Sequence, residues 1–252
     1  MKQLQIEKLR IAIYDNRKEM GQAAAGDIRE KMLELLAHKE TINMIFAAAP
    51  SQNDVLAALV AEPLIPWERV NAFHMDEYIH LHRQAPQSFA NYLRRHLFDK
   101  VQFCSVNFLN CEAEDPRAEC NRYGALLAQN PTDIVVLGIG ENGHIAFNDP
   151  GVAEFNDPQI VKIVALDEIC RQQQVNDGCF NCIDDVPTHA ITLTIPALVS
   201  APHLFCIVSG PTKANAVQKT VCEPISEECP ASILRQCGGA KLYLDTYSGA
   251  LL

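Results

Sequence analysis

The stretch DIVVLGIG, residues 133–140, constrains the fold more than any other part of the chain. After its opening aspartate it runs Ile, Val, Val, Leu with no polar alternation, the pattern of a strand covered on both faces. A sheet with one wet face would instead show every second residue polar. The segments NMIFAAA (43–49), VNAFHM (70–75), VNFLN (106–110), THAITLTI (188–195), HLFCIVSG (203–210) and KLYLDT (241–246) read as further strands. Residues 15–38, 52–61, 88–98, 113–129 and a stretch from about Thr212 read as helices. Strands alternating with helices at this spacing build right-handed βαβ units. The expected fold is therefore a Rossmann-like α/β, with a mostly parallel sheet and helices on both faces, in one domain spanning 1–252. Residues 149–187 show no clear period and read as an irregular active-site surface rather than a domain boundary.

Charge narrows the classes of partner. With 31 acidic against 21 basic residues, the formal charge of −10 argues against sequence-independent binding to nucleic acid or to an anionic membrane. An anionic small molecule remains compatible, because a few local donors override a global field. The N-terminal MKQLQIEKLR has no apolar core, and no segment approaches the roughly 18 consecutive apolar residues of a membrane span. A cytoplasmic protein with no membrane partner is expected. The 10 cysteines are scattered through apolar and helical contexts, which favours reduced thiols packed as small hydrophobes. Cys179 and Cys182 form a lone CxxC, and without a second cluster it does not make a zinc site.

Ligands of open parallel sheets bind beyond the carboxyl ends of the strands. That rule selects PSQN (50–53), HMDEY (74–78), GENGH (140–144) and SGPTK (209–213). The glycines at 138, 140 and 143 have the spacing of a dinucleotide fingerprint, but the motif comes late in the chain. Its continuation IAFNDPG, with Asn148, Pro150 and Gly151, does not open a helix, so the nucleotide reading fails. The same residues fit a tight turn in which Gly138 and Gly140 admit a ligand to the backbone, while His144 projects over the strand end. Imidazole both takes and gives protons near neutral pH. Asn142 and Asp149 are close enough in sequence to orient it, and a loop histidine bonded for structural reasons is the plain alternative.

Strand alternation places His74 and Asp76 on one side of FHMDEYIHLH, with Phe73 and Met75 on the other. A partly desolvated carboxylate at a strand end is a candidate base, and a turn-capping Asp76 is the alternative. Glu77 reads as solvated. His74, Asp76, His80 and His82 match no well-defined ligand set, so no metal is expected. Lys213, near a helix start, and Ser51, before another, could hold an anion.

Taken together, FHMDEY, LGIGENGHIAFNDP, VPTHAITLTIPAL and SGPTKA resemble the glucosamine-6-phosphate deaminase family, which is related to the 6-phosphogluconolactonases. The resemblance covers nearly the whole chain. It implies a cofactor-free conversion of glucosamine 6-phosphate and water to fructose 6-phosphate and ammonia. In it, His144 assists ring opening, Asp76 moves the C2 proton to C1, and Lys213 and Ser51 bind phosphate. Gly140 and Gly143 shape the loop against the substrate.

Three departures stand out. Asn142 replaces the family's aspartate before Gly-His, and Asp149 replaces its glutamate. The phosphate loop is Ala48-Ala49-Pro50-Ser51, with the family's phosphate-binding arginine falling near Gly178. Arg171 is then the expected substitute guanidinium. The other functions to weigh are a 6-phosphogluconolactonase-like hydrolase, in which His144 activates water, and a sugar-phosphate sensor that has lost catalysis. Homo-oligomer formation is left open by the sequence.

Overall fold

The computed structural model describes residues 1–252. Its strands are β1 (Lys2–Ile6), β2 (Leu9–Tyr14), β3 (Ile42–Phe46), β4 (Val70–His74), β5 (Asp76–Tyr78), β6 (Ser105–Asn107), β7 (Ile134–Leu137), β8 (Val161–Ala165), β9 (His189–Leu193), β10 (His203–Val208) and β11 (Ala240–Asp245). The helices are α1 (Arg17–Leu36), α2 (Asn53–Val60), α3 (Phe89–Leu93, continued by a wider π turn over Arg94–Phe98), α4 (Pro116–Gln129), α5 (Glu168–Asn176), α6 (Ile195–Val199) and α7 (Ala214–Cys222).

Eight strands form the main sheet in the order β1-β2-β11-β10-β7-β3-β4-β6. All its pairings are parallel except the β1–β2 hairpin at one edge. β7 lies at the centre and is covered on both faces, as DIVVLGIG requires. Val135 and Leu137 enter one apolar layer with α4, α6 and α7, while Ile134 and Val136 enter the other with α1 and α2. Burial on both faces removes any tolerance for polar alternation in this strand.

Sequence and structure part company in three places. THAITLTI does form a strand, β9, but not in the main sheet. It pairs antiparallel with β5 on one side and β8 on the other, forming a separate three-stranded sheet. Residues 149–187 are not irregular throughout, since they contain β8 and α5. The hairpin β1–β2 was not anticipated, because LQIEKLRIAI has no strong turn pair. The small sheet has its own apolar cluster, in which Tyr78, Phe89, Phe147 and Phe180 pack ring against ring. No helix is long and apolar enough to cross a membrane.

Glu77 corrects another expectation, because it is fully buried rather than solvated. Its carboxylate accepts hydrogen bonds from the backbone N–H groups of Tyr78, Phe89 and Ala90 and from the Ser88 hydroxyl. It thereby ties the start of α3 to β5, next to Asp76. Replacing Glu77 with Ala strands these donors in an apolar setting, where each unpaired group costs about 1–3 kcal/mol. The E77A variant is expected to lose roughly 3 kcal/mol or more of unfolding free energy in urea titration, and E77Q clearly less.

Candidate active site

The strand order reverses between β3 and β7: the chain builds outward through β4 and β6 on one side and through β10 and β11 on the other. Ligand crevices form at such a switch point, beyond the carboxyl ends. A cavity of ≈ 250 Å³ lies there, lined by residues from the segments that follow β3, β4, β7 and β10. It is smaller than the roughly 300–1,000 Å³ of sites for drug-sized ligands, which suits a phosphorylated monosaccharide better than a dinucleotide.

The loop after β7 is built around the His144 ring. A β-carbon at Gly140 would lie 2.1–2.3 Å from three ring atoms, so only glycine lets the imidazole rest on the backbone there. The Gly140 N–H donates to the carbonyl of His144 at 2.9 Å, and the Gly143 N–H to that of Gly140 at 3.0 Å. Gly143 has φ +90, and a β-carbon there would meet Cys229 Sγ at 2.8 Å. Asn148, buried, donates to the carbonyls of Ile145 and Leu193 and fastens the loop to β9. Gly143 therefore shapes the loop without lining the cavity, whereas Gly140 and His144 do line it.

His144 Nδ1 lies 2.8 Å from Asp149 Oδ1 and 2.8 Å from Asn142 Oδ1. The Nδ1–H is thus directed at these oxygens, leaving Nε2 for the cavity. Burial pushes the Asp149 carboxyl up, but the hydrogen bond and charge of His144, with bonds from Asn142 and the Cys170 thiol, outweigh it. The net effect holds the group below its ordinary value. Asp149 is therefore a fixed anion behind the imidazole. His144, Asp149 and Cys170 also offer donor atoms within 4.8 Å of one another, the one convergent set with metal-ligand chemistry.

Asp76 also lines the cavity. Burial, reinforced by the charge of Glu77, pushes its carboxyl well above the usual range. His74 does not share its environment, because β4 ends there and β5 starts at Asp76 in the other sheet. The His74 ring accepts the Leu109 N–H at 2.8 Å, and burial pulls it down to about 3. His80 and His82 are exposed, so the four residues do not converge on a metal. All ten cysteines are free thiols, Cys179 and Cys182 included.

At the β3 and β10 end, Ser51, Arg17 and Lys213 line the cavity with Ser209, Gly210 and Thr212. Lys213 is buried and lacks an ion-pair partner. Burial pulls its ammonium below the ordinary lysine value, while Asp177 and Glu141 oppose that pull. Ser51 Oγ accepts from the amide of Gln52, which also donates to the Ile207 carbonyl. Arg17 is paired with Asp54 and donates to the Pro50 carbonyl at 2.9 Å, which fixes its guanidinium over the loop.

Arg171 does not stand where the sequence places a phosphate ligand. Its guanidinium donates to the carbonyls of Ile183 and Val186 and lies outside the cavity lining, so it braces the segment after α5. Arg17 was missed by sequence reasoning, although a signal existed. A cation at the first position of a helix opposes the helix dipole, a cost that implies another role. Asp177, Gln173 and Gln174, which also line the cavity, fall in the stretch read as irregular.

Residues 15–243 match the model of the family described as glucosamine-6-phosphate isomerases/6-phosphogluconolactonase. A glucosamine-6-phosphate deaminase from Listeria monocytogenes is 34% identical over 226 residues, covering 88% of this chain and 94% of that one. One from Bacillus cereus is 37% identical over 203 residues, covering 81% and 75%. Among solved structures, a monomeric glucosamine-6-phosphate deaminase superposes with a TM-score of 0.87 at 29% identity, covering 96% of this chain and 99% of that one. The 6-phosphogluconolactonase of Trypanosoma brucei shares the fold, with a TM-score of 0.79 at 20% identity over 96% and 98% of the two chains. The chain belongs to the glucosamine-6-phosphate isomerase/6-phosphogluconolactonase family.

Proposed function

We propose that this protein is a glucosamine-6-phosphate deaminase, converting glucosamine 6-phosphate and water to fructose 6-phosphate and ammonia. The observation that carries the reading is the pairing, in one cavity, of a desolvated carboxylate, Asp76, with an imidazole backed by an ionised one, Asp149. Two carboxylates pushed in opposite directions by their surroundings suit a proton-abstracting base and a fixed counter-charge. His144 moves a proton between the ring oxygen and the anomeric hydroxyl, opening the pyranose. Asp76 takes the C2 proton while the C2 ammonium gives one proton to the C1 oxygen, leaving an enolamine, and Asp76 then returns its proton to C1. The resulting C2 iminium adds water, and the carbinolamine so formed expels ammonia together with one proton, leaving the C2 ketone. A lactonase, by contrast, has only a carbonyl to hydrate and no use for a base at a C–H bond.

The phosphate is held at the other end of the cavity by Lys213, Ser51 and Arg17, the last supplying the guanidinium that Arg171 does not. Exclusion of water from Lys213 strengthens its pairing with a dianion, and the anion in turn restores the ammonium's ordinary basicity. The relatives' names and the pocket's size support a phosphorylated amino sugar as the partner.

Following ammonia and fructose 6-phosphate after addition of glucosamine 6-phosphate tests the assignment, and no turnover at high enzyme concentration contradicts it. The D76N variant is expected to lose roughly 10³-fold in kcat, the scale of a general base. Because the base must be ionised and burial raises its pKa, kcat/KM should be retained at higher pH. It should fall as pH drops through a value above the ordinary carboxylate range. Charged hydrogen bonds contribute about 1.5–3 kcal/mol, so K213A and R17A should each raise KM roughly 10- to 100-fold, with smaller changes in kcat. An unchanged KM in R17A would remove that residue from the phosphate site.

A further inference from the structure

We propose that Asp167 is a positioning residue for His144: through the side-chain amide of Asn142 it fixes the imidazole and adds a second negative charge to that of Asp149. The inference rests on the acid–base role given to His144 above.

The amide of Asn142 has only one satisfactory orientation. Its Oδ1 accepts the backbone N–H of His144 at 3.1 Å and lies 2.8 Å from His144 Nδ1. Its Nδ2 therefore points the other way, donating to Asp149 Oδ1 at 2.9 Å and to Asp167 Oδ2 at 3.2 Å. Turning the amide over would set its oxygen against two carboxylates and its NH2 against the His144 N–H. A carboxylate at position 142 would be no better, since it would crowd three anions into the same contact. The amide and the second carboxylate therefore depend on each other.

Asp167 is itself held in place. It caps α5, where its other oxygen accepts the Cys170 N–H, so the end of a helix fixes where its charge lies. A carboxylate that accepts from an amide NH2 draws electron density toward the amide oxygen, and hydrogen bonds in such a chain strengthen one another. The oxygen facing Nδ1 thus becomes a better acceptor for the imidazolium. The other charged or titratable groups around the ring are Asp149 and Glu141 on its own loop, Cys170 on α5, and Asp76, Asp177 and Lys213, which line the same cavity.

The test uses three variants of the full chain, D167N, N142D and N142D/D167N. Kinetics with glucosamine 6-phosphate are read across pH, and the His144 ring signals are followed by NMR in the ligand-free protein. Asparagine caps a helix about as well as aspartate, so D167N keeps α5 while removing the charge. D167N is expected to lower kcat roughly tenfold, the scale of one charge-assisted hydrogen bond, with little change in KM. It should also shift the His144 ring signals from their positions in the unaltered protein. N142D should lose activity through anion crowding, and N142D/D167N, which restores two carboxylates and one amide, should recover most of it. Unmoved ring signals in D167N, or a double variant no better than N142D, overturn the proposal. The NMR readout needs no substrate, so failure of the proposed reaction would be seen separately.

Discussion

The candidate active site depends on the contact between the His144 ring and the backbone at Gly140. A single added methyl group would occupy the space of the ring. Because the imidazole is pressed against the chain, its Nδ1 reaches Asp149 and Asn142 while the opposite edge of the ring faces the cavity. The loop after β7 is in turn fixed from beneath. Asn148 binds β9, and the Ala231 N–H donates to the Gly143 carbonyl. A central strand buried on both faces thus ends in a loop that presents one side chain with little freedom, as catalytic geometry requires.

The electrostatics of the cavity follow from unequal access to partners. Asp149 is buried, but His144 and Asn142 both bond to its Oδ1 and hold the group ionised, although its Oδ2 has no hydrogen-bond partner. Asp76 is buried beside another carboxylate and has no cation to offset it, so its proton is held tightly. Lys213 is buried as a cation without an ion pair. The burial of Asp76 and Lys213 costs folding free energy when they are charged, whereas the fold favours the charge on Asp149. Glu77 secures the neighbouring helix start through three of its four accepted hydrogen bonds, the fourth coming from Tyr78 within β5, and so places the β5 backbone where Asp76 meets the cavity.

Much of this was legible in the sequence for a physical reason. A short unbroken run rich in β-branched residues, such as IVVL, is what a doubly covered strand requires, and the ligand rule for parallel sheets then marks the loops that carry Asp76, His144, Ser51 and Lys213. What could not be read depended on partners distant in sequence. Strand β9 has the same composition as the main-sheet strands, and its departure to a second sheet is decided by pairing with β5 and β8. The burial of Glu77 is invisible because its donors come from residues 88–90, across a turn. Arg171 looked like a phosphate ligand because a free guanidinium cannot be told from one committed to carbonyls until the chain is folded. Arg17, far from Ser51 in sequence, shares a wall with it only because α1 begins where the loop after β3 turns. Asn142 stands where the family has an aspartate, and its bond to Asp167, 25 residues on, is invisible until α5 is in place.

The proposed transfer of a proton from C2 to C1 by Asp76, after His144 opens the ring, is tested most directly by the reaction of glucosamine 6-phosphate in heavy water, with mass and NMR analysis of the products. Deuterium is expected at C1 of fructose 6-phosphate, to the extent that the Asp76 proton exchanges with solvent before return. D76N is expected to form no such product. Ammonia release in which the C2 hydrogen is neither transferred to C1 nor exchanged, or deuterium incorporation that persists in D76N, would contradict the proposed transfer.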